Sequence, residues 1–211
     1  MNNPQTPAVQ RTPYEDYEPA DVRDLIATYP LAWVCARGTT DASLLPLIGV
    51  YNDAGELVEL IGHFACTNPL GPALWADPRT SILFTGPNGY VSPNHAGRRN
   101  WGPTWNYAQV RVQAEVTVDP ELTASAVDLL VEHVERDMPV PWSAKELGER
   151  YGHLMPHIVG FRARVTQVSA VFKLGQTEDV PTLRSILSTL QQVELIGWMR
   201  RLNQNHPGAK G

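Results

Sequence analysis

Gln109–Val118 reads QVRVQAEVTV, and its alternation decides the fold. Val110, Val112, Ala114, Val116 and Val118 fall on one side, and Gln109, Arg111, Gln113, Glu115 and Thr117 on the other. A period of two is the mark of a strand with one face buried and one in water. Downstream, Val159, Phe161, Ala163 and Val165 alternate in the same way with Gly160, Arg162, Arg164 and Thr166, in a run that continues to Leu174. Upstream, Leu31–Ala36 is a brief continuous apolar run that reads as a buried strand. Leu44–Tyr51 and Leu57–Ile61 flank the turn residues Asn52-Asp53-Ala54-Gly55 and form an antiparallel hairpin. Arg79–Thr85 is a further strand, giving about six.

Helical spacing accounts for the remainder. Val22, Leu25, Ile26 and Tyr29 repeat at helical intervals between Pro19 and Pro30. Asn68 caps a short helix through Leu70, Ala73, Leu74 and Ala76, with Pro69 in its first turn. Pro120 opens a helix to about Arg136, and Ser143 with Glu146 makes a capping box for a helical region ending near Leu154. Val180–Leu202 forms one or two amphipathic helices. The reading is an α+β protein: a small antiparallel barrel with peripheral helices and a C-terminal helical extension. It places one domain at residues 14–204, between flexible tails at 1–13 and 205–211.

Gly86–Tyr107, GPNGYVSPNHAGRRNWGPTWNY, stands apart from this pattern. Its Pro residues lack donors and its Gly residues add backbone freedom, so it reads as a long structured loop. Two Trp, two Tyr, one His and the pair Arg98-Arg99 suit a flat, conjugated anion such as a flavin phosphate or a heme with its propionates. The same aromatics would also serve as a lid on the core.

The 211 residues carry 17 basic and 22 acidic side chains, a net charge of −5, which gives no general attraction to nucleic acid or anionic membranes. No apolar run reaches the length of a membrane span and no signal-peptide order opens the chain, so a cytoplasmic protein is expected. Cys35 and Cys66 have no zinc spacing and read as buried thiols. There is no GxGxxG, phosphate loop, GxSxG or HExxH motif.

The elements GHFACTNP (62–69), GPNGYVSP (86–93), PTWNY (103–107) and IVGFRARVTQVSAVFKLGQ (158–176) together resemble the PaiB family of FMN-binding transcriptional regulators, over roughly Tyr14–Trp198. That resemblance implies a split-barrel homodimer with ligand pockets at the subunit interface. A related branch contains the heme-dependent piperazate synthases, which close an N–N bond in N5-hydroxyornithine. The chain departs from the common pattern at Asn94–Trp101 and at Thr177-Glu178, which remodels the pocket.

On this resemblance His63 is the candidate heme ligand, with His95 as the alternative ligand or as an acid/base group beside Lys173. Arg79, Arg98 and Arg99 are candidates to clamp propionates or a flavin phosphate. Trp101 and Trp105 are candidates to stack on the ring system, although Trp105 and Tyr107, at the start of a strand, read as core as well. The expected function is a heme b enzyme of the piperazate synthase kind, acting on a small hydroxylamine-bearing amino acid. The alternatives are an FMN-binding regulator and a flavin-dependent reductase. For a DNA-binding role only Arg200-Arg201 stand clustered near the C-terminus, without a helix-turn-helix signal.

Overall fold

The computed structural model describes residues 12–209. In chain order the helices and strands are α1 (Pro19–Thr28), β1 (Leu31–Ala36), β2 (Ala42–Tyr51), β3 (Leu57–Ala65), α2 (Leu70–Ala76), β4 (Arg79–Val91), α3 (Pro93–Ala96), β5 (Thr104–Val118), α4 (Thr123–Glu135), α5 (Glu149–Leu154), β6 (Ile158–Lys173), α6 (Val180–Thr189) and α7 (Val193–Leu202). The strands close into an antiparallel barrel in the order β1-β2-β3-β6-β5-β4. This is the α+β barrel that the alternation predicts.

The described residues divide into two compact units: 18–86 with 109–170, and 12–17 with 87–108 and 171–209. In the first, Ala32, Val34, Leu47, Leu60, Ile82, Phe84, Val110, Val112, Phe161 and Ala163 point inward and are fully buried. Phe64 and Phe161 meet at the centre with ring centroids 5.4 Å apart. Each Val, Leu, Ile or Phe side chain among them contributes about 1.5–3 kcal/mol by leaving water. α4 covers part of the outside through Leu122 and Ala126, which close over Ile61. That approach depends on Gly160, because a Cβ there would stand 2.8 Å from the Thr123 backbone nitrogen. Gly160 N instead donates to Thr123 Oγ1 at 2.9 Å.

The second unit is built on α6 and α7. Leu183, Ile186, Leu195 and Met199 are buried with Phe172 and Leu174, and Phe172 stacks on Trp198 at 5.8 Å. Asp179 caps α6 by accepting from Thr182 N.

The main departure from the sequence reading is the size of the loop. β4 runs through Gly86 and Pro87 to Val91, and β5 begins at Thr104, so only residues 92–103 lie outside the strands, with α3 among them. Gly86 and Pro87 are both buried, and the alternation slips there before resuming with Gly89 and Val91 inward. Small residues and a single slip hid the period of two. β3 likewise runs past Ile61 to Ala65.

The termini also differ in what is seen. The expected N-terminal tail lies outside the described residues up to Arg11, and Pro13–Glu15 form a 3-10 turn. Pro207–Ala209, expected as part of a tail, form another such turn. There Gly208 is buried and His206 Nε2 donates to Glu178 O at 2.9 Å. Cys66 is exposed rather than buried, and Cys35 is half-buried.

Candidate functional site

Strand register builds the site. β3 sends Leu60, Gly62 and Phe64 inward, which turns Ile61, His63 and Ala65 outward. On its β6 side His63 pairs with Gly160, over which the start of α4 closes at Thr123. On its β2 side Leu47 pairs with Gly62, so the next residue, Pro46, stands alongside His63, and Pro46 pairs in turn with Leu31. The neighbouring outward row holds Leu44, Trp33 and Leu83 through the pairs Trp33–Leu44 and Trp33–Leu83. Leu31, Trp33 and Leu44 are 50%, 47% and 44% exposed. Read as a strand buried on both faces, Leu31–Ala36 is in fact open on one.

His63 is half-buried, and its Nδ1 is sealed from solvent with no hydrogen-bonding partner. Such an orphaned polar atom costs on the order of 1–3 kcal/mol. Burial also pushes its pKa below the ordinary 6.5, so the ring is neutral at pH 7. A neutral imidazole fixed by pairing on both flanks and bordered by apolar surface is able to coordinate a metal centre carried by a flat ligand.

Arg79 lies elsewhere on the same outer wall. It grips Asp77 in two-pronged fashion, at 2.7 and 2.6 Å, and this holds the Asp77 carboxyl down at about 2. Arg37 N donates to Arg79 O, which places Arg79 six residues along from the row of Leu31, roughly 20 Å at ~3.3 Å per residue. Beside it is a cleft of about 570 Å³ whose lining includes Arg37, Ser81, Gln113 and Thr166. His63 and Arg79 are therefore not brought together.

The other six candidates belong to the second unit. Ser92 and His95 form a capping box on α3, with Ser92 N donating to His95 Nδ1 at 3.2 Å and Asn94 N to Ser92 Oγ at 3.1 Å. The proton of the neutral His95 ring is thereby left on Nε2. Arg98 donates to Asp179 at 2.8 Å, and Trp101 Nε1 donates to Glu178 at 3.0 Å. Arg99 donates to Asn94 within its own loop. Lys173 Nζ donates to Thr104 Oγ1 at 2.5 Å, joining the ends of β6 and β5. Trp105 is 55% exposed and so is not core; its ring lies 6.0 Å from that of Tyr90, itself 45% exposed. His95, Arg98 and Trp101 thus gather around the start of α6 or dock upon it, since Ser185 Oγ also donates to His95 O at 2.8 Å.

Sequence reasoning passed over Arg37 and the outward residues Leu31, Trp33 and Leu44. Only the register, absent from any local pattern, turns these three to the outside. Among the described residues no three His, Cys, Asp or Glu side chains converge as a protein-only metal site would require.

A closed six-stranded antiparallel barrel in a chain that also carries seven helices among the described residues marks a protein of the split-barrel class. Residues 9–167 match the family described as "Putative FMN-binding domain". The chain is 30% identical over 164 residues to protease synthase and sporulation protein PAI 2 of Bacillus subtilis, covering 75% of this chain and 76% of that one. It belongs to this PaiB-like family of FMN-binding split-barrel proteins. Among solved structures it resembles the FAD and heme binding protein from Mycobacterium smegmatis, with a TM-score of 0.56, 16% identity, and 83% and 80% of the two chains covered. It also resembles the flavocytochrome Anf3 from Azotobacter vinelandii, with a TM-score of 0.52, 16% identity, and 76% and 69% covered. At these identities the likeness shows the fold. No described helix is long and apolar enough to cross a membrane.

Proposed function

We propose that the protein is a heme b enzyme of the PaiB-like family, in which His63 would hold the iron, working as a homodimer. The observation that carries this reading is the orphaned, neutral imidazole of His63 beside an exposed apolar row. An iron ligand must be unprotonated and rigidly held, and the flat face of a porphyrin needs apolar contact. His63 and the Leu31–Trp33–Leu44 surface meet both requirements. The same surface suits a second copy of the chain, which would cover these side chains.

The proposed reaction is the cyclising dehydration of N5-hydroxyornithine, the reaction of the heme-dependent piperazate synthases, a branch related to the PaiB family. The α-amine nitrogen bonds to N5, the N5–O bond breaks, and the hydroxyl leaves with a proton as water, with no net redox change. Bound heme would supply a Lewis-acidic iron for the departing oxygen. His63 would hold that iron in place. His95, whose Nδ1 accepts from Ser92 N, and Lys173, held to Thr104, are the proposed acid/base groups, and both belong to the second unit.

FMN is the second reading, and different residues favour it: the cleft with Arg37, Ser81, Gln113 and Thr166 offers the donors a phosphate needs. The visible spectrum of protein purified from cells supplied with a heme precursor and riboflavin decides between them. A stoichiometric Soret band that shifts in His63→Ala is the expected result. Flavin bands without a Soret band would overturn the heme reading and turn attention to a regulator or reductase.

A further inference from the structure

β2 ends on Tyr51, whose ring folds back along its own strand. A Cβ on Gly49 would stand 2.4 Å from the phenol oxygen, so glycine alone leaves room for the ring there. The hydroxyl is sealed from solvent and has no hydrogen-bonding partner. Burial pushes its pKa up to about 12, so it stays a neutral donor at physiological pH. Next to it, α1 and α4 border a cleft of about 340 Å³.

Both helices bring a guanidinium to this cleft. On α4, His133 Nε2 donates to Ala27 O at 2.7 Å, which leaves Nδ1 to accept from Arg136 Nη2 at 3.3 Å. On α1, Arg23 bonds Asp24 through Nε at 3.0 Å. Two guanidiniums against one carboxylate leave an excess positive charge in the lining. A guanidinium pair and an unsatisfied hydroxyl are the donor set that oxyanions select, because each oxygen accepts two or more hydrogen bonds.

We propose that this cleft binds a small oxyanion, a carboxylate or a phosphate group, held by Arg136 and Arg23 with the Tyr51 hydroxyl donating from the wall. The hydroxyl is sealed in this structure, so the bond to it forms with a local rearrangement, and that bond relieves its isolation. The site is separate from His63: the Tyr51 hydroxyl lies over Gly49, which pairs with Leu60, three residues before His63 on β3, roughly 10 Å at ~3.3 Å per residue. It therefore stands whichever cofactor the protein carries.

The competing explanation is that Arg136 and His133 merely fasten α4 to α1. Calorimetric titration of the full chain with inorganic phosphate and with acetate, each against chloride at matched ionic strength, separates the two. The expected result is one saturable site for at least one of these anions, weakened about tenfold or more in Arg136→Gln and severalfold in Tyr51→Phe. Saturation by acetate alone would assign a carboxylate, and by phosphate alone a phosphate group. Arg136→Lys, which keeps the charge and loses the fork, serves if Arg136→Gln does not fold; it should weaken binding as well. No saturable response in the wild type, or undiminished binding in both the Arg136 and Tyr51 variants, would overturn the proposal.

Discussion

Two residues carry most of the testable chemistry of the barrel wall. His63 has a folded-state pKa below 6.5 because burial penalises its charged form. Between that depressed value and 6.5 the unfolded chain binds more protons than the folded one, so stability rises with pH across the window and is lost as pH falls through it. Thermal melts of the cofactor-free protein at pH 7.5 and pH 5.5 should therefore show a smaller acid loss in His63→Leu than in wild type; equal losses would mean that the ring titrates normally. Tyr51 has the opposite sign. Its raised pKa means the folded state keeps a proton that the unfolded chain releases, so stability falls as pH climbs from 10 toward about 12. Spectrophotometric titration should show one tyrosine ionising last, and Tyr51→Phe should remove that step. Gly160→Ala tests packing alone: a methyl 2.8 Å from the Thr123 nitrogen forces β6 and the start of α4 apart, at a cost of about 1–3 kcal/mol measurable by urea unfolding.

At the level of elements, legibility followed the strength of the local pattern. β5 from Gln109 and β6 from Val159 to Thr166 were plain because valine, alanine and phenylalanine alternate there with side chains that are mostly charged or polar, whereas the start of β5 was read as loop. The capping box at Ser143 and Glu146 was equally readable, since Ser143 N donates to Glu146 Oε1 at 2.9 Å. The far half of β4 was not, because its inward positions are Gly86, Pro87 and Gly89, which carry no hydrophobic signal. The site was legible only as a set of residue types. His63 stood out as an imidazole at the end of a strand, whereas Trp33, Leu44 and the Arg23–Tyr51–Arg136 cleft arise from pairing between segments distant in sequence. The ties of the 92–103 segment to α6 give a prediction at this scale. Arg98→Ala removes the bond to Asp179 and should speed protease cleavage within residues 97–103 while leaving the far-ultraviolet dichroism unchanged. Unaltered cleavage would show that Trp101–Glu178 and His95–Ser185 already suffice.

For the whole molecule, the outward row of Leu31, Trp33 and Leu44 is the surface whose exposure most needs an explanation. If a second copy covers it, Trp33→Asp should yield monomers in sedimentation equilibrium under conditions where wild type is dimeric, and should lower cofactor retention at the same time. A wild-type monomer would remove the dimer from the proposal and leave the apolar row to the ligand alone. The closure of the barrel bears on how any such assembly is made. β1, β2 and β3 are each flanked by two strands, so this part of the wall offers no row of idle amide and carbonyl groups along which a foreign strand could zip. On this wall subunits would meet through their side chains, like tiles laid face to face. Such contacts part and re-form without any backbone being unthreaded, and the protein is thereby guarded against fibrous growth even while it exposes tryptophan and leucine to water.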